Sequence, residues 1–525
     1  MKSEMITPFV LSPLDHVFPP VLYVMTALYF QTEAPSKAIV DLQRGISHLR
    51  EIIPFLDGEV APANSSDKPN AMEVRMAPRN DIASLVPVKY YPKYCLPAKP
   101  GTMERGIERQ GVCTSDEPAR RLVPEFDQLA IPAPIFRAQI NILADGLVLC
   151  LVTNHMVIDG KGNDVLYNLL AQCCRSPSDA SLCSSMATQA ATRRYLHNLG
   201  RNGPIPGIPS HSTSSLSLSV PPSEENEQKF DRGEGLACDA SHSSYNLLFS
   251  NAKIQLLKSR CNARLPEIIS SLAKEKHEKG GEYEEEGVGE KPRFVSSNDI
   301  LTALLWICIT RVQQQQSSTL GVAVNSRKRF PEALPDDYLG NAVAYADCTL
   351  MISELQCLEK WEKQQREQSL CQQNLQSCPI IEEESIIELL SRVAYRIRCS
   401  ISRINDVSLG CLTAGYYHTP DWSRILLQRC DILVSSLRDW STFELDFGPQ
   451  LQKVLGVEFL PASSAPGECL VRPARKDTNG EAAWEVMVTL QPAEMEQMLQ
   501  FKLLQWPLEY DSEVNFYRSL QVNKD

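Results

Sequence analysis

The sequence predicts an α/β protein of two domains. Three observations carry this reading. The chain has 525 residues, enough for two or more ordinary domains. Apolar segments with strand spacing are interleaved with segments of helical spacing. A stretch rich in Ser, Pro, Gly and Asn, from 176 to 235, divides these elements into a first unit, 1–175, and a second, 236–525.

The elements follow in order. Ala38 to Leu49 places Ile39, Leu42, Ile46 and Leu49 on one helical face, and Ile53-Pro54-Phe55-Leu56-Asp57-Gly58 then turns the chain. Ile135 to Ile142 and Leu147 to Val152 read as two strands joined by Ala144-Asp145-Gly146, a hairpin signal. Helical spacing returns from Val165 to Cys174. The stretch 176–235 lacks apolar periodicity and is expected to be a surface crossover. A second polar insert, Lys274 to Lys291, is expected to be a solvated loop. Between them, Ser250 to Cys261 reads as a helix carrying Lys253, Lys258 and Arg260. Ser296-Ser297-Asn298-Asp299 resembles a helix cap ahead of the apolar run Ile300 to Val312. Leu320 to Val324 and Asp431 to Ser436 read as strands, Glu354 to Gln376 as an exposed helix, and Ile386 to Ile404 as a further helix. Trp484 to Leu490 alternates as a late strand, and Glu494 to Leu503 reads as a closing helix.

Composition excludes several function classes. A net charge of -12 argues against a broad nucleic-acid face, while leaving room for a local basic patch that holds a small anion. Pro8, Pro13 and Asp15 interrupt the N-terminal apolar residues, so no secretory signal is read. The run Val21 to Phe30 is about half the length of a membrane span. Seventeen cysteines occur without a C-x-x-C pair or zinc spacing, so free thiols in a reducing compartment, and a cytoplasmic protein, are expected.

One stretch raises a chemical question. The apolar run Leu147 to Val152 ends in Thr153-Asn154-His155, and Asp159-Gly160 follow. Polar groups at the end of a buried strand cost free energy unless something satisfies them. One reading is a strand-end histidine hydrogen-bonded within its own loop. The other is a general base on a tight turn, since a neutral imidazole takes and returns a proton near pH 7. Asp159 would fold the turn back or pair with a distant cation, and Gly160 would ease the backbone.

The H-x-x-x-D-G pattern of His155, Asp159 and Gly160 resembles the signature of the BAHD acyltransferases, a CoA-dependent superfamily, and in particular its fungal trichothecene 3-O-acetyltransferase-like branch. Further blocks follow in the family's order. Leu11-Ser12-Pro13-Leu14-Asp15 is similar to its L-S-x-x-D entry, and Ser297-Asn298-Asp299 with Ala303-Leu304-Leu305-Trp306 to its T-N-D…A-L-x-W helix. Asn325-Ser326-Arg327 with Pro335 and Tyr338-Leu339-Gly340-Asn341 resembles its N-x-R…P…Y-x-G-N segment. Asp446-Phe447-Gly448 resembles the start of its D-F-G-W-G motif, with Pro449-Gln450 replacing the end. Non-ribosomal peptide condensation domains share the architecture but carry a second histidine where this chain has Asn154.

The resemblance implies two CoA-dependent acyltransferase-like (chloramphenicol acetyltransferase-like) domains with a tunnel between them. It implies acyl-CoA as co-substrate, with no bound cofactor or metal, and a small-molecule alcohol (or amine) as acceptor. His155 would be the general base. Asp446 would stand beside it as a catalytic-site residue, with a supporting role. Asp159 is expected to pair with Arg327 beneath the site, and Gly160, Phe447 and Gly448 to shape it. Asn341, Ser435 and Ser436 are candidate oxyanion or substrate donors. Lys253, Lys258 and Arg260 are candidates for the CoA phosphates. A monomer is expected, without nucleic-acid partners or a membrane span. Two other readings stay open: a catalytically silent homologue that binds a small molecule or partner, and a condensation or cyclisation enzyme acting on a carrier-bound acyl chain.

Overall fold

The structure is a computed structural model that describes residues 8–64, 66–76, 86–96, 107–109, 121–204, 242–278, 292–371, 383–427, 429–460, 465–476 and 480–508. Two hydrophobic cores organise it. The first gathers Leu42, Leu149, Leu151 and Phe447 with their neighbours; the second gathers Trp306, Leu320, Ile387 and Val486 with theirs.

A five-stranded sheet underlies the first core, in the order 456–460, 23–30, 147–154, 136–143, 88–91. The expected hairpin is present: Phe136–Leu143 pairs antiparallel with Leu147–Asn154, from Phe136 opposite Thr153 to Ile142 opposite Leu147. All eight residues of Leu147–Asn154 are buried. Side chains on both faces of this strand are therefore covered, which accounts for a continuous apolar run rather than alternation. The helices Pro35–Ile52 and Gly160–Arg175 pack on each other beside the sheet.

A seven-stranded sheet underlies the second core, in the order 343–351, 317–325, 432–436, 468–471, 484–490, 243–249, 107–109. One of its faces, with Val322, Ala344, Ala346, Val434 and Val488, is buried in the second core together with the helices Ser297–Gln313 and Glu384–Arg403. The predicted cap is a full capping box: Ser296 and Asp299 each satisfy the other's backbone N–H. Each large sheet takes its edge strand from the opposite part of the chain. Gly456–Leu460 pairs with Tyr23–Phe30, and Ile107–Arg109 pairs with Ser243–Phe249.

Some expectations are corrected. The stretch expected as an irregular crossover carries a helix, Met186–Asn202, capped by Ser185. Its composition is polar, but Leu196, Gln189 and Arg193 are buried, so tertiary contacts rather than an apolar stripe hold it. The rest of that stretch, 205–235, lies outside the described residues. The helix from Asn251 runs to Glu278 and so takes in the start of the second insert; 279–291 lies outside the described residues. The closing helix is two short ones, Pro492–Met498 and Lys502–Gln505. The strands Tyr23–Phe30 and Val343–Met351 and the helix Asp406–His418 had no counterpart in the sequence reading. Among the described residues no helix is long and apolar enough to cross a membrane.

Candidate active site

His155 follows directly on the buried strand. Its backbone N–H donates to the carbonyl of Leu22 (2.9 Å), which ties the turn to the neighbouring strand. Asn154 supports the turn from inside, accepting from the Met156 N–H (3.0 Å) and donating to the Pro20 carbonyl (2.7 Å). The imidazole stacks on Phe18, with ring centroids 3.9 Å apart and planes 25° from parallel. Its Nδ1 is buried and makes no hydrogen bond with the described residues. Burial holds the ring's pKa below the usual histidine range, opposed by its own backbone carbonyl, the Asp159 charge and the Asn341 side chain. The ring is therefore neutral at pH 7.

Asp159 is the N-cap of Gly160–Arg175 and accepts from the Gly162 N–H (2.8 Å). Its carboxylate also receives Arg327 in a bidentate pair, Nη2 to Oδ1 at 2.8 Å and Nη1 to Oδ2 at 3.0 Å. The Ala342 N–H supplies a fourth donor at 3.0 Å. Both side chains are buried. Arg327 also donates to the carbonyls of Tyr338 and Gly340, so few of its N–H groups lack a partner. The geometry points Asp159 away from solvent into a fixed polar lattice. Gly162 makes this lattice compact: a Cβ there would lie 2.5 Å from the Leu339 carbonyl. Gly160 leaves space instead, with Leu437 and Trp440 each 3.6 Å from where its Cβ would be.

Asn341 receives a different job from the oxyanion role considered for it. Its side-chain Nδ2 reaches the carbonyls of His155 and Met156 (3.0 Å each) and Asp15 Oδ1 (3.0 Å). With its two N–H bonds directed at those acceptors, it clamps the histidine turn and has no donor left for a developing oxyanion. Asp15, which sequence reasoning treated only as part of a motif, is the other half of this clamp. It is fully buried and accepts from the backbone and side chain of both Ser12 and Asn341. Burial nevertheless pushes its carboxyl above the ordinary range, against those hydrogen bonds. Phe18 was also missed, because an aromatic residue in a Pro-rich entry segment carries no periodic signal. The helix Met186–Asn202 completes the support: Gln189 holds the Leu339 N–H and the Asp337 carbonyl.

Other candidates lie elsewhere. Asp446 is about half exposed, 3.8 Å from Arg175, and caps the turn through the Gly448 N–H (2.9 Å). Its contacts are those of a turn residue and do not include His155. Phe447 is buried against Phe30, and Gly448 has φ of +94°, so only glycine suits that position. Pro449-Gln450 fits within this turn, which closes by Gln452 N–H to the Gly448 carbonyl at 2.7 Å. Lys253 donates to the Leu508 carbonyl (3.1 Å) and Arg260 pairs with Glu384 (2.7 Å). Both thus have partners of their own, which weakens the phosphate role expected for them. Among the described residues, Lys258 accepts from the Asn262 side chain through its backbone carbonyl. Ser435 and Ser436 end the strand Ile432–Ser436, just before Leu437 over Gly160, which brings them to the site's edge. Among the described residues, no group of three His, Cys, Asp or Glu side chains is arranged to hold a metal.

The chain is similar to several known proteins. The model of the transferase family matches residues 111–502. An O-acetyltransferase of Aspergillus campestris, cpsE, is 37% identical, over 98% of this chain and 98% of that protein. A fumigaclavine B O-acetyltransferase of Aspergillus fumigatus, easN, is 29% identical over 97% of this chain and 99% of its own. The fold matches that of F. sporotrichioides TRI101, crystallised with coenzyme A and T-2, with a TM-score of 0.62 at 17% identity, covering 96% of this chain and 100% of that one. With the histidine turn, the buried Asp159–Arg327 pair and a family match across most of its length, the chain belongs to the transferase family of BAHD-type, acyl-CoA-dependent acyltransferases.

Proposed function

We propose that this enzyme moves an acyl group from acyl-CoA to a hydroxyl of a small specialised metabolite, with His155 as general base. The observation that carries the reading is the histidine turn itself. A neutral imidazole is stacked on Phe18 and locked by Asn341, Asp15 and the Asp159–Arg327 pair. Nδ1 faces the protein interior, which leaves Nε2 to take the proton. The acceptor O–H bond breaks as its proton passes to Nε2. The oxygen forms a bond to the thioester carbonyl carbon, and the C–S bond then breaks. The imidazolium returns the proton to the departing thiolate, so no acyl-enzyme is formed. The O-acetyltransferase names of the relatives support a hydroxyl acceptor and a short acyl group. Acyl-CoA and acceptor would meet at His155 from opposite mouths of a tunnel between the two sheets.

The test is thiol release from acetyl-CoA with a panel of alcohols. His155→Ala should lower the rate about 10²–10⁴-fold with an unchanged melting temperature. Turnover near that of the wild type would remove His155 as the base. Activity only with a carrier-bound acyl donor would favour condensation or cyclisation.

A further inference from the structure

The helix Met186–Asn202 and the residues just before it direct four residues onto one segment, 332–339. Ser184 holds the Asp337 carboxylate through its N–H (2.6 Å) and its hydroxyl (2.5 Å). The Tyr195 hydroxyl accepts from the Glu332 N–H (3.0 Å). Gln189 donates to the Asp337 carbonyl (2.8 Å) and accepts from the Leu339 N–H (3.0 Å), so a single carboxamide brackets Tyr338. Arg193, one turn further along, lies 5.8 Å from the centre of the Tyr338 ring, and 4.2 Å and 5.4 Å from those of Phe9 and Phe55. Its Nε and Nη2 make no hydrogen bond with the described residues, and the three ring faces take their place. Gln189 and Arg193 are both buried.

The end of this segment carries the contacts that set the histidine turn. Tyr338 enters the second core and Leu339 the first, so apolar packing holds their side chains while Gln189 satisfies the backbone around them. Arg327 donates to the carbonyls of Tyr338 and Gly340. Gly340 lets the Tyr338 hydroxyl fold back over the chain; a Cβ there would lie 2.4 Å from it. Asn341 then spends its side-chain N–H groups on the His155 and Met156 carbonyls and on Asp15, and Ala342 donates to Asp159. Only Gly340 separates the residue that Gln189 grips, Leu339, from the residue that clamps His155. A displacement of the 337–339 backbone therefore reaches the His155 carbonyl with little slack.

We propose that Gln189 is a positioning residue for the general base: by fixing the backbone at Asp337 and Leu339 it places Asn341, and through Asn341 the His155 turn. This rests on the acyltransferase reading above. Gln189 acts through its neighbours and takes no part in the bond changes. The charged groups about His155 are Asp159 on its own turn, Asp15 on the entry segment and Arg327 behind Asp159, and a change at Gln189 keeps all three.

The test is an NMR titration of the full-length protein labelled at histidine, with thiol release from acetyl-CoA on the same samples. The His155 signal is identified by its absence from His155→Ala. Gln189→Met keeps length and bulk and removes both hydrogen bonds. The wild-type ring should titrate below 6.5, and in Gln189→Met it should move up toward 6.5, because a loosened turn admits water to a ring whose burial lowers its pKa. The variant's kcat should fall about ten- to a hundredfold, the scale of a slight misplacement, with the KM for acetyl-CoA within about twofold. Ser185→Ala, which removes only the cap of the same helix, should lower the melting temperature and leave both readouts in place. An unmoved His155 titration or an undiminished kcat in Gln189→Met, or equal changes in Ser185→Ala, overturns the proposal. If Gln189→Met fails to fold, Gln189→Glu keeps the acceptor for Leu339 and loses the donor to Asp337, and an unmoved titration there does the same. Full turnover in His155→Ala would instead remove the base, so the two failures are distinguishable.

Discussion

Removing the Asp159 carboxylate should cost stability before it costs chemistry. In the native protein it receives four donors: two from Arg327 and one each from the Gly162 and Ala342 N–H groups. Asp159→Ala leaves a guanidinium at 1% exposure without its counter-charge. Breaking one side of a buried pair typically costs about 3–5 kcal/mol, because the remaining charge is stranded. For 525 residues, an unfolding entropy of about 2.1 cal/mol/K per residue sums to roughly 1.1 kcal/mol/K if the chain unfolds cooperatively. The melting temperature should then fall by about 3–5 °C. Activity should fall with it, since Ala342 and Asn341 lose their anchor and the histidine turn loosens. Arg327→Met should give a similar fall. The double variant should lose less than the sum of the singles, because the stranded charge is gone. The assay is differential scanning calorimetry with thiol release on the same samples. Additive losses, or lost activity in Asp159→Ala with no thermal change, would refute the scaffold role and make Asp159 a participant in the reaction.

Other perturbations follow from the same geometry. Because burial lowers the His155 pKa below 6.5, the base should be fully neutral above that value and be lost as pH falls through the lower folded pKa. The pH profile of kcat/KM should therefore show an acid limb below 6.5 and a plateau through pH 7–8, and an apparent pKa above 7 would contradict the assignment. Gly162→Ala forces a methyl against the Leu339 carbonyl and should destabilise by about 1–3 kcal/mol, read by denaturant melts. Asn341→Ala removes one of the four donors to the buried Asp15 carboxylate and frees the His155 turn; about 1–3 kcal/mol of stability and most of the turnover should go with it. Asp446→Ala removes a half-exposed contact worth about 1 kcal/mol or less, and should keep most turnover in the thiol assay.

The sequence by itself determined the elements whose signal is local. The hairpin Phe136–Leu143 to Leu147–Asn154 was legible because a turn dipeptide separates two apolar runs. The Ser296–Asp299 capping box is written within four residues. The strand Trp484–Leu490 shows its alternation openly. The His155 turn stood out because polar residues end a buried run, whereas the Asp159–Arg327 pairing was expected from the resemblance to a known family. What only the tertiary structure decided depends on contacts distant in sequence. Met186–Asn202 has the composition of a linker, and it is a helix because Gln189, Arg193 and Leu196 meet partners that the local sequence does not name. Asn341 resembles an oxyanion donor until Asp15, 326 residues away, claims its amide. Lys253 and Arg260 share a helix face, yet their charges are met by Leu508 and Glu384. Periodicity reports which side of an element is apolar, whereas the partner of a polar group is set by loop closure across hundreds of residues, and no local pattern encodes that.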